Sequence, residues 1–379
     1  MRSAITQQIT SFTKALIRDV GELEQSPLQP FRFVEASDSL SLRIKGPLVD
    51  LRSEGEFSKG AVPGAVNIPL LNNEDRSEVG TLYKTDGQEA AVELGLSLFR
   101  SKAKHFFAKI QEISRPGTPI TLYCWRGGLR SQSVAHWLER MGIQVFLLRG
   151  GYKAFRTAVL GTFDVFANSR EFLVLHGRTG SGKTEFIHSL SPEVPKLDLE
   201  GIAGHRGSAF GDFNLTDAPP GSSTQQNFEN RLAVAILQLP ETGRVVLELE
   251  NFMGPVSVPL SIRGAMKEAP VVVLARHYDD RVERLVQEYC SDWNDSLTAA
   301  FIERMEMFQN HLSAKFRDKL IECVKGRNFR YVVRALLRER YDRLYDKSIA
   351  RFESKIVRRI NISRRYQEAQ TLIEGQCLV

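Results

Sequence analysis

Glu171-Phe172-Leu173-Val174-Leu175-His176-Gly177-Arg178-Thr179-Gly180-Ser181-Gly182-Lys183-Thr184 is an apolar strand that runs directly into a glycine-rich loop. The loop fits the P-loop pattern G-x-x-x-x-G-K-[ST] without a mismatch. Gly177, Gly180 and Gly182 let backbone amides wrap phosphate oxygens, Lys183 balances their charge, and Thr184 is placed to hold a magnesium ion. Such a loop hands its anion to the N-terminus of a following helix, so the stretch implies a strand-loop-helix unit of a parallel α/β sheet. A carboxylate is expected at the end of a neighbouring strand. Val245-Val246-Leu247-Glu248-Leu249-Glu250 supplies Glu248 and Glu250 in place of the usual aspartate. Either is a magnesium ligand or substrate-orienting group, or simply a solvated strand end, and nucleotide hydrolysis stays open.

Upstream lies a second cradle, Cys124-Trp125-Arg126-Gly127-Gly128-Leu129-Arg130-Ser131, entered from the short apolar run Pro119-Ile120-Thr121-Leu122-Tyr123. A cysteine between a strand and a helix faces loop amides and the positive end of the helix dipole, a setting that favours a nucleophilic sulfur beside an anion. Arg126 and Arg130 add full charges, and Gly127 and Gly128 leave room for close approach. The plainer reading of a lone cysteine is a buried strand-end residue. This loop together with Leu48-Val49-Asp50-Leu51-Arg52-Ser53-Glu54-Gly55-Glu56-Phe57 and Gly60-Ala61-Val62-Pro63-Gly64-Ala65-Val66-Asn67-Ile68-Pro69 resembles a rhodanese (sulfurtransferase) domain. The resemblance implies that Cys124 carries a chalcogen group covalently, with Asp50 and Arg52 buttressing the loop or taking part in catalysis.

The chain of 379 residues has room for two or three domains and has the composition of an ordinary globular protein. Alternating strand and helix patterns predict a rhodanese-like parallel-sheet domain over 31–163 and a P-loop NTPase-like α/β domain over 170–279. An N-terminal helix and linker (1–30) precede them, and a basic helical region (280–379) follows. The formal charge is +6, but Arg327, Arg330, Arg334 to Arg343, Arg358-Arg359 and Arg364-Arg365 crowd the last third. That distribution suits an anionic polymer; interleaved Glu339, Asp342, Asp346 and Glu353 allow a salt-bridged helical face instead. Four scattered cysteines exclude a zinc knuckle or a disulfide framework and fit a cytoplasmic protein. No apolar run is long enough to span a membrane. Ile5, Ile9, Phe12 and Leu16 share a helical face, in the manner of a transit peptide or a docked terminal helix.

Between the P-loop and the carboxylate strand stands Asp198-Leu199-Glu200-Gly201-Ile202-Ala203-Gly204-His205-Arg206-Gly207-Ser208-Ala209-Phe210-Gly211. His205 and Arg206 among glycines suit a diphosphate or a tRNA phosphate, or else form a glycine-rich surface turn. A rhodanese domain followed by a P-loop domain with this tract resembles the tRNA 2-selenouridine synthase family. Asn72 to Lys84 and Leu148 to Arg156 are also similar to that family. The resemblance implies a tRNA-modifying transferase that replaces sulfur by selenium in wobble 2-thiouridine. Geranyl diphosphate first alkylates the sulfur, and selenophosphate then displaces the S-geranyl group. It implies a selenium-stage role for Cys124, as carrier or nucleophile, and selenophosphate binding by Arg126, Gly127, Gly128 and Arg130. Gly177, Gly180, Gly182, Lys183 and Thr184 would hold the geranyl diphosphate or a tRNA phosphate, with His205 and Arg206 at the acceptor or diphosphate, and Thr184, Glu248 and Glu250 on magnesium. The alternative is a rhodanese sulfurtransferase fused to a nucleotide-dependent, kinase-like domain.

Overall fold

The computed structural model describes residues 31–41, 43–205, 224–308 and 312–378. Two compact units share them: one within Met1–Phe163 and Pro220–Gln238, the other within Asp164–Pro219 and Leu239–Val379. Each is a five-stranded parallel sheet, as the alternation of strand and helix patterns requires.

The first unit contains β1 (Arg32–Val34), β2 (Leu48–Asp50), β3 (Val66–Asn67), β4 (Ile120–Tyr123) and β5 (Val145–Leu148), in spatial order β1-β5-β4-β2-β3. Strands β2 and β4 are buried along their whole length, which is why they read as unbroken apolar runs. The helix Gln88–Ile113 covers the sheet with Phe99, Phe106, Phe107 and Ile110, and Phe99 stacks on Trp137 of helix Leu129–Arg140 at 5.0 Å. The helix Asn73–Thr85, opened by an Asn72/Asp75 capping box, runs alongside it.

The helix Gln225–Leu237 belongs to this first unit although it lies in sequence beyond the P-loop. Asn227 accepts from the Ala61 amide (2.9 Å), and Asn230 donates to the Ala61 carbonyl (2.7 Å) and the Tyr152 hydroxyl (3.0 Å). The expected boundary near residues 163–170 therefore does not hold for this helix. Its buried asparagines satisfy backbone groups of the rhodanese-like unit, a pairing invisible to local pattern.

Beneath it lies a buried ion pair. Arg52 and Asp50 are almost fully buried and joined by three side-chain bonds of 2.6, 3.0 and 3.1 Å, while Arg52 also donates to the Gly60 carbonyl (2.6 Å) and lies 3.8 Å over the Tyr152 ring. Burial alone would favour loss of the Arg52 proton; the Asp50 carboxylate outweighs it and holds the guanidinium charged. The pair buttresses the strand end.

The second unit contains β6 (Phe172–His176), β7 (Lys196–Leu197), β8 (Val245–Glu248), the antiparallel hairpin β9 (Phe252–Met253) and β10 (Val256–Ser257), β11 (Val271–Ala275) and β12 (Ile356–Asn361). Its sheet order is β12-β11-β6-β8-β7. Strand β12 adds one strand to the region after residue 280 that was expected to be helical. It is an edge strand on which only Ile360 is buried, so the Val357-Arg358-Arg359 stretch has the polarity of a solvated helix face. Helices Asp295–Met307, Ala314–Lys325 and Phe329–Leu336 enclose a separate apolar core around Phe301, Met305 and Leu320. Many arginines of this region pair with acids: Arg330 with Glu283 (2.5 Å), Arg334 with Asp279 (2.5 Å) and Arg343 with Glu339 (3.2 Å). Among the described residues no helix is long and apolar enough to cross a membrane.

Replacing Arg52 by Met leaves Asp50 as a buried charge without its partner. The full chain should lose about 3–5 kcal/mol in the transition of the first unit. Urea denaturation followed at the tryptophans measures this, and an unchanged midpoint would refute the buttress.

Candidate active sites

The cysteine loop leaves β4 and turns into helix Leu129–Arg140. Gly128 caps that helix without a side-chain bond, so its first-turn amides are open to an anion. Cys124 is 3% exposed and its sulfur lies 3.3 Å from the Ser131 hydroxyl. The Cys124 and Trp125 carbonyls accept from the amides of Tyr152 and Lys153, each at 2.9 Å. Gly151 permits this close approach: it sits at φ +62°, and a Cβ there would lie 2.4 Å from the Cys124 carbonyl oxygen.

The sequence-predicted arginines differ in setting. Arg126 is exposed, whereas Arg130 is held by Glu56 at 3.3 Å, with Arg76 a further 3.7 Å from the same carboxylate. Burial would raise the Glu56 pKa, but Arg130, the Ser53 amide and Arg76 together lower it, so Glu56 is the ionised hub of the two arginines. Gly127 and Gly128 form the turn between them. Cys124, Trp125, Arg126, Gly128 and Arg130 all face an open cleft of about 830 Å³.

In the second unit the P-loop follows β6 as expected, and Gly182, at φ +85°, opens the helix Lys183–Ser189 in a left-handed conformation suited to glycine. Lys183 is buried; its ammonium donates to the Gly177 carbonyl (3.4 Å) and stands 4.0 Å from Glu248. Glu248 ends β8 and Glu250 lies two residues on. Glu200, whose role sequence reasoning missed, joins them: one oxygen from each of the three carboxylates lies within 4.8 Å of the others. Thr184 donates to Glu200 at 3.3 Å. The signal available was the Leu-Glu-Gly run immediately after β7.

Burial pushes Glu248 up to about 8 and Glu250 up to about 7; Lys183 opposes the rise, and Glu200 adds to it. Among the described residues neither Glu248 oxygen has a hydrogen-bond partner. Oxygen donors concentrated beside a P-loop threonine are the donor set of a hard divalent cation.

A helix from the last third completes this floor. The π-helical turn Leu337–Tyr341 leads into Asp342–Arg351. There the Tyr345 hydroxyl donates to Glu250 (3.3 Å), Asp346 accepts from Arg178 (2.7 Å), and Ser348 meets His176 (3.1 Å). Burial and then Lys183 lower the His176 pKa to about 4, so it is neutral at neutral pH. Tyr345 carried no local motif and only the tertiary fold brings it to the loop, whereas His176 directly precedes Gly177 and it is its Ser348 contact that the fold supplies. His205 stands beside the β9–β10 turn, where a Cβ on Gly254 would fall 2.6 Å from its ring. Arg206 lies outside the described residues, as do residues 1–30 with their amphipathic pattern.

A parallel-sheet unit with a strand-end cysteine loop and a second with a P-loop define a rhodanese-like domain fused to a P-loop domain. The Rhodanese-like domain family matches residues 35–158, and the family described as tRNA 2-selenouridine synthase AAA domain matches residues 170–326. Curated relatives match across both parts. A tRNA 2-selenouridine synthase of Shewanella pealeana is 40% identical over 70% of each chain. That of Pseudomonas syringae pv. syringae is 38% identical over 82% of this chain and 80% of its own, and that of Shewanella denitrificans 33% identical over 86% and 95%. The chain belongs to the tRNA 2-selenouridine synthase family.

The carboxylate cluster has a pH signature. Between the ordinary carboxylate range and about pH 8 the folded state holds protons that the unfolded chain has released, so stability falls as pH rises through that window. The thermal midpoint of the second unit should decline by a few degrees from about pH 5 to about pH 8. Glu248→Gln should flatten that decline, and magnesium chloride should restore the midpoint most at the alkaline end. A midpoint equally pH-dependent in Glu248→Gln would contradict the assignment.

Proposed function

We propose that this chain replaces the sulfur of wobble 2-thiouridine in tRNA by selenium, acting first as a geranyltransferase and then as a selenotransferase. Cys124 at the floor of an arginine-edged cleft carries this reading. The P-loop of the other unit supplies a separate anion cradle for the donor's diphosphate.

In the first stage the thiocarbonyl sulfur attacks C1 of geranyl diphosphate. A carbon–sulfur bond forms, the carbon–oxygen bond breaks, diphosphate leaves with the electron pair, and the base loses its N3 proton to water. The loop amides and Lys183 hold the diphosphate through the departure, with His205 toward the acceptor. Thr184, Glu248 and Glu250, with Glu200 behind them, would hold magnesium, whose charge offsets that of the leaving group.

In the second stage the Cys124 thiolate adds to C2 and expels the geranyl thiolate, which takes up a proton. The selenium of selenophosphate, held by Arg126, Arg130 and the Gly127-Gly128 turn, then adds to C2 and expels Cys124. Water cleaves the phosphorus–selenium bond, leaving phosphate and 2-selenouridine. No atom changes oxidation state. A perselenide on Cys124 would require removal of two electrons, which neither selenophosphate nor the geranyl group accepts, and this favours the nucleophile over the carrier role. The arginine-rich final third would hold the tRNA backbone by exchanging exposed acidic partners for phosphates, a contact weakened by salt.

The buried carboxylates beside Lys183 also suit a magnesium nucleotide, and this supports a second reading, a sulfurtransferase fused to a nucleotide-dependent kinase-like domain. ATP turnover without tRNA would favour it.

The test incubates the full chain with 2-thiouridine tRNA, geranyl diphosphate and selenophosphate and resolves the wobble nucleoside by mass spectrometry. Cys124→Ala should stop at the S-geranyl nucleoside, with selenation reduced by roughly a thousandfold or more. Lys183→Ala should block geranylation yet selenate tRNA supplied already geranylated. Absence of both products from the unaltered chain would sink the proposal.

A further inference from the structure

The cleft above Cys124 is much larger than selenophosphate needs, and its far wall carries an apolar stripe beside the polar residues Arg76, Lys84 and Gln88. Helices Asn73–Thr85 and Gln88–Ile113 form that wall with Leu71, Val79, Val92 and Leu96, while the cysteine loop forms the polar end. At about 830 Å³ the space matches a site for a sizeable organic ligand. Three large hydrophobic side chains at the cleft remain open to solvent: Tyr83 at 58%, Trp125 at 40% and Leu129 at 36%.

Two glycines sharpen the point. Gly80 and Gly95 sit in the interiors of the two wall helices and both line the cleft. Neither has the positive φ that would demand glycine, and each costs its helix about 1 kcal/mol relative to alanine. A Cβ on Gly95 would make only ordinary contacts, 3.8 Å from Val79 and 3.9 Å from Leu71. Backbone conformation and local crowding therefore do not require glycine at Gly95, and a larger side chain there would grow toward Val79 and Leu71 at the cleft wall.

We infer that the groove between these two helices is a prenyl subsite, which holds the geranyl chain of the S-geranyl base while C2 lies over Cys124. This rests on the two-stage reading above and adds where the chain lies and why the intermediate is retained. An apolar chain in the groove points the thioether toward Cys124, leaving Arg126 and Arg130 at the other end for selenophosphate. Each buried methylene adds affinity, so a short S-alkyl group should be a poor substitute.

The experiment gives the full chain anticodon stem-loop RNAs carrying S-geranyl- or S-methyl-2-thiouridine, with selenophosphate, and compares kcat/KM. The unaltered chain should prefer the geranyl RNA by at least about tenfold. Gly95→Leu, which removes a helix-interior glycine and so should fold, is expected to lose that preference chiefly through a higher KM. Its geranylation of 2-thiouridine RNA, which the proposed function assigns to the other unit, should be unchanged. Val92→Phe fills the groove from the same helix and should behave alike. A geranyl preference retained in both folded variants, or absent from the unaltered chain, would overturn the subsite while leaving the two-stage reading intact. No selenation of the geranyl RNA by the unaltered chain would overturn both.

Discussion

One ammonium group facing three carboxylates sets the character of the second unit. Lys183 is buried within reach of Glu248, with Glu250 and Glu200 in the same small volume. Water cannot screen that excess of negative charge, so protons, a cation or a rearranged ligand must balance it. The parallel sheet makes the arrangement: β6 and β8 are neighbours in register, so the loop after one and the carboxylates after the other emerge together. The helix Asp342–Arg351 then closes the floor from far along the chain, with Tyr345 on Glu250 and Asp346 on Arg178. The geometry of the P-loop and the fold of the last third are thus coupled through a few hydrogen bonds.

The first unit solves a different problem on a parallel sheet of different strand order. Its loop carries a sulfur where the other carries a lysine. Its buried cation, Arg52, sits behind the site, matched one-to-one by Asp50. That neutral pairing leaves the cleft's field to Arg126 and to the arginines that share Glu56.

Much of this was legible in the residues. The strands entering both loops are short apolar runs bounded by glycine or proline, and the motifs fix the spacing of Cys124, Lys183 and Thr184 on local backbone alone. Glu248 and Glu250 were found because a strand end is also local. Glu200 and Tyr345 were not, since the first reaches the site through sheet order and the second on a helix more than a hundred residues away. Strand β12 escaped because an edge strand with arginines on both sides of its pleat lacks the apolar alternation that announces a strand. The groove could not be read at all: a glycine inside a helical pattern looks like a weak helix until the opposing helix is in place.

The helix Gln225–Leu237 carries a consequence for how the molecule is made. Its Asn230 meets Tyr152 across 78 residues of chain, and Tyr152 in turn covers Arg52 and fixes the Cys124 loop. On the ribosome the rhodanese-like unit must therefore wait, one flank unsealed, until the P-loop segment and the following stretch have been synthesised. Completion of the Cys124 loop is in this way timed by synthesis of the P-loop segment, and neither unit can be produced whole by cutting the chain between their motifs.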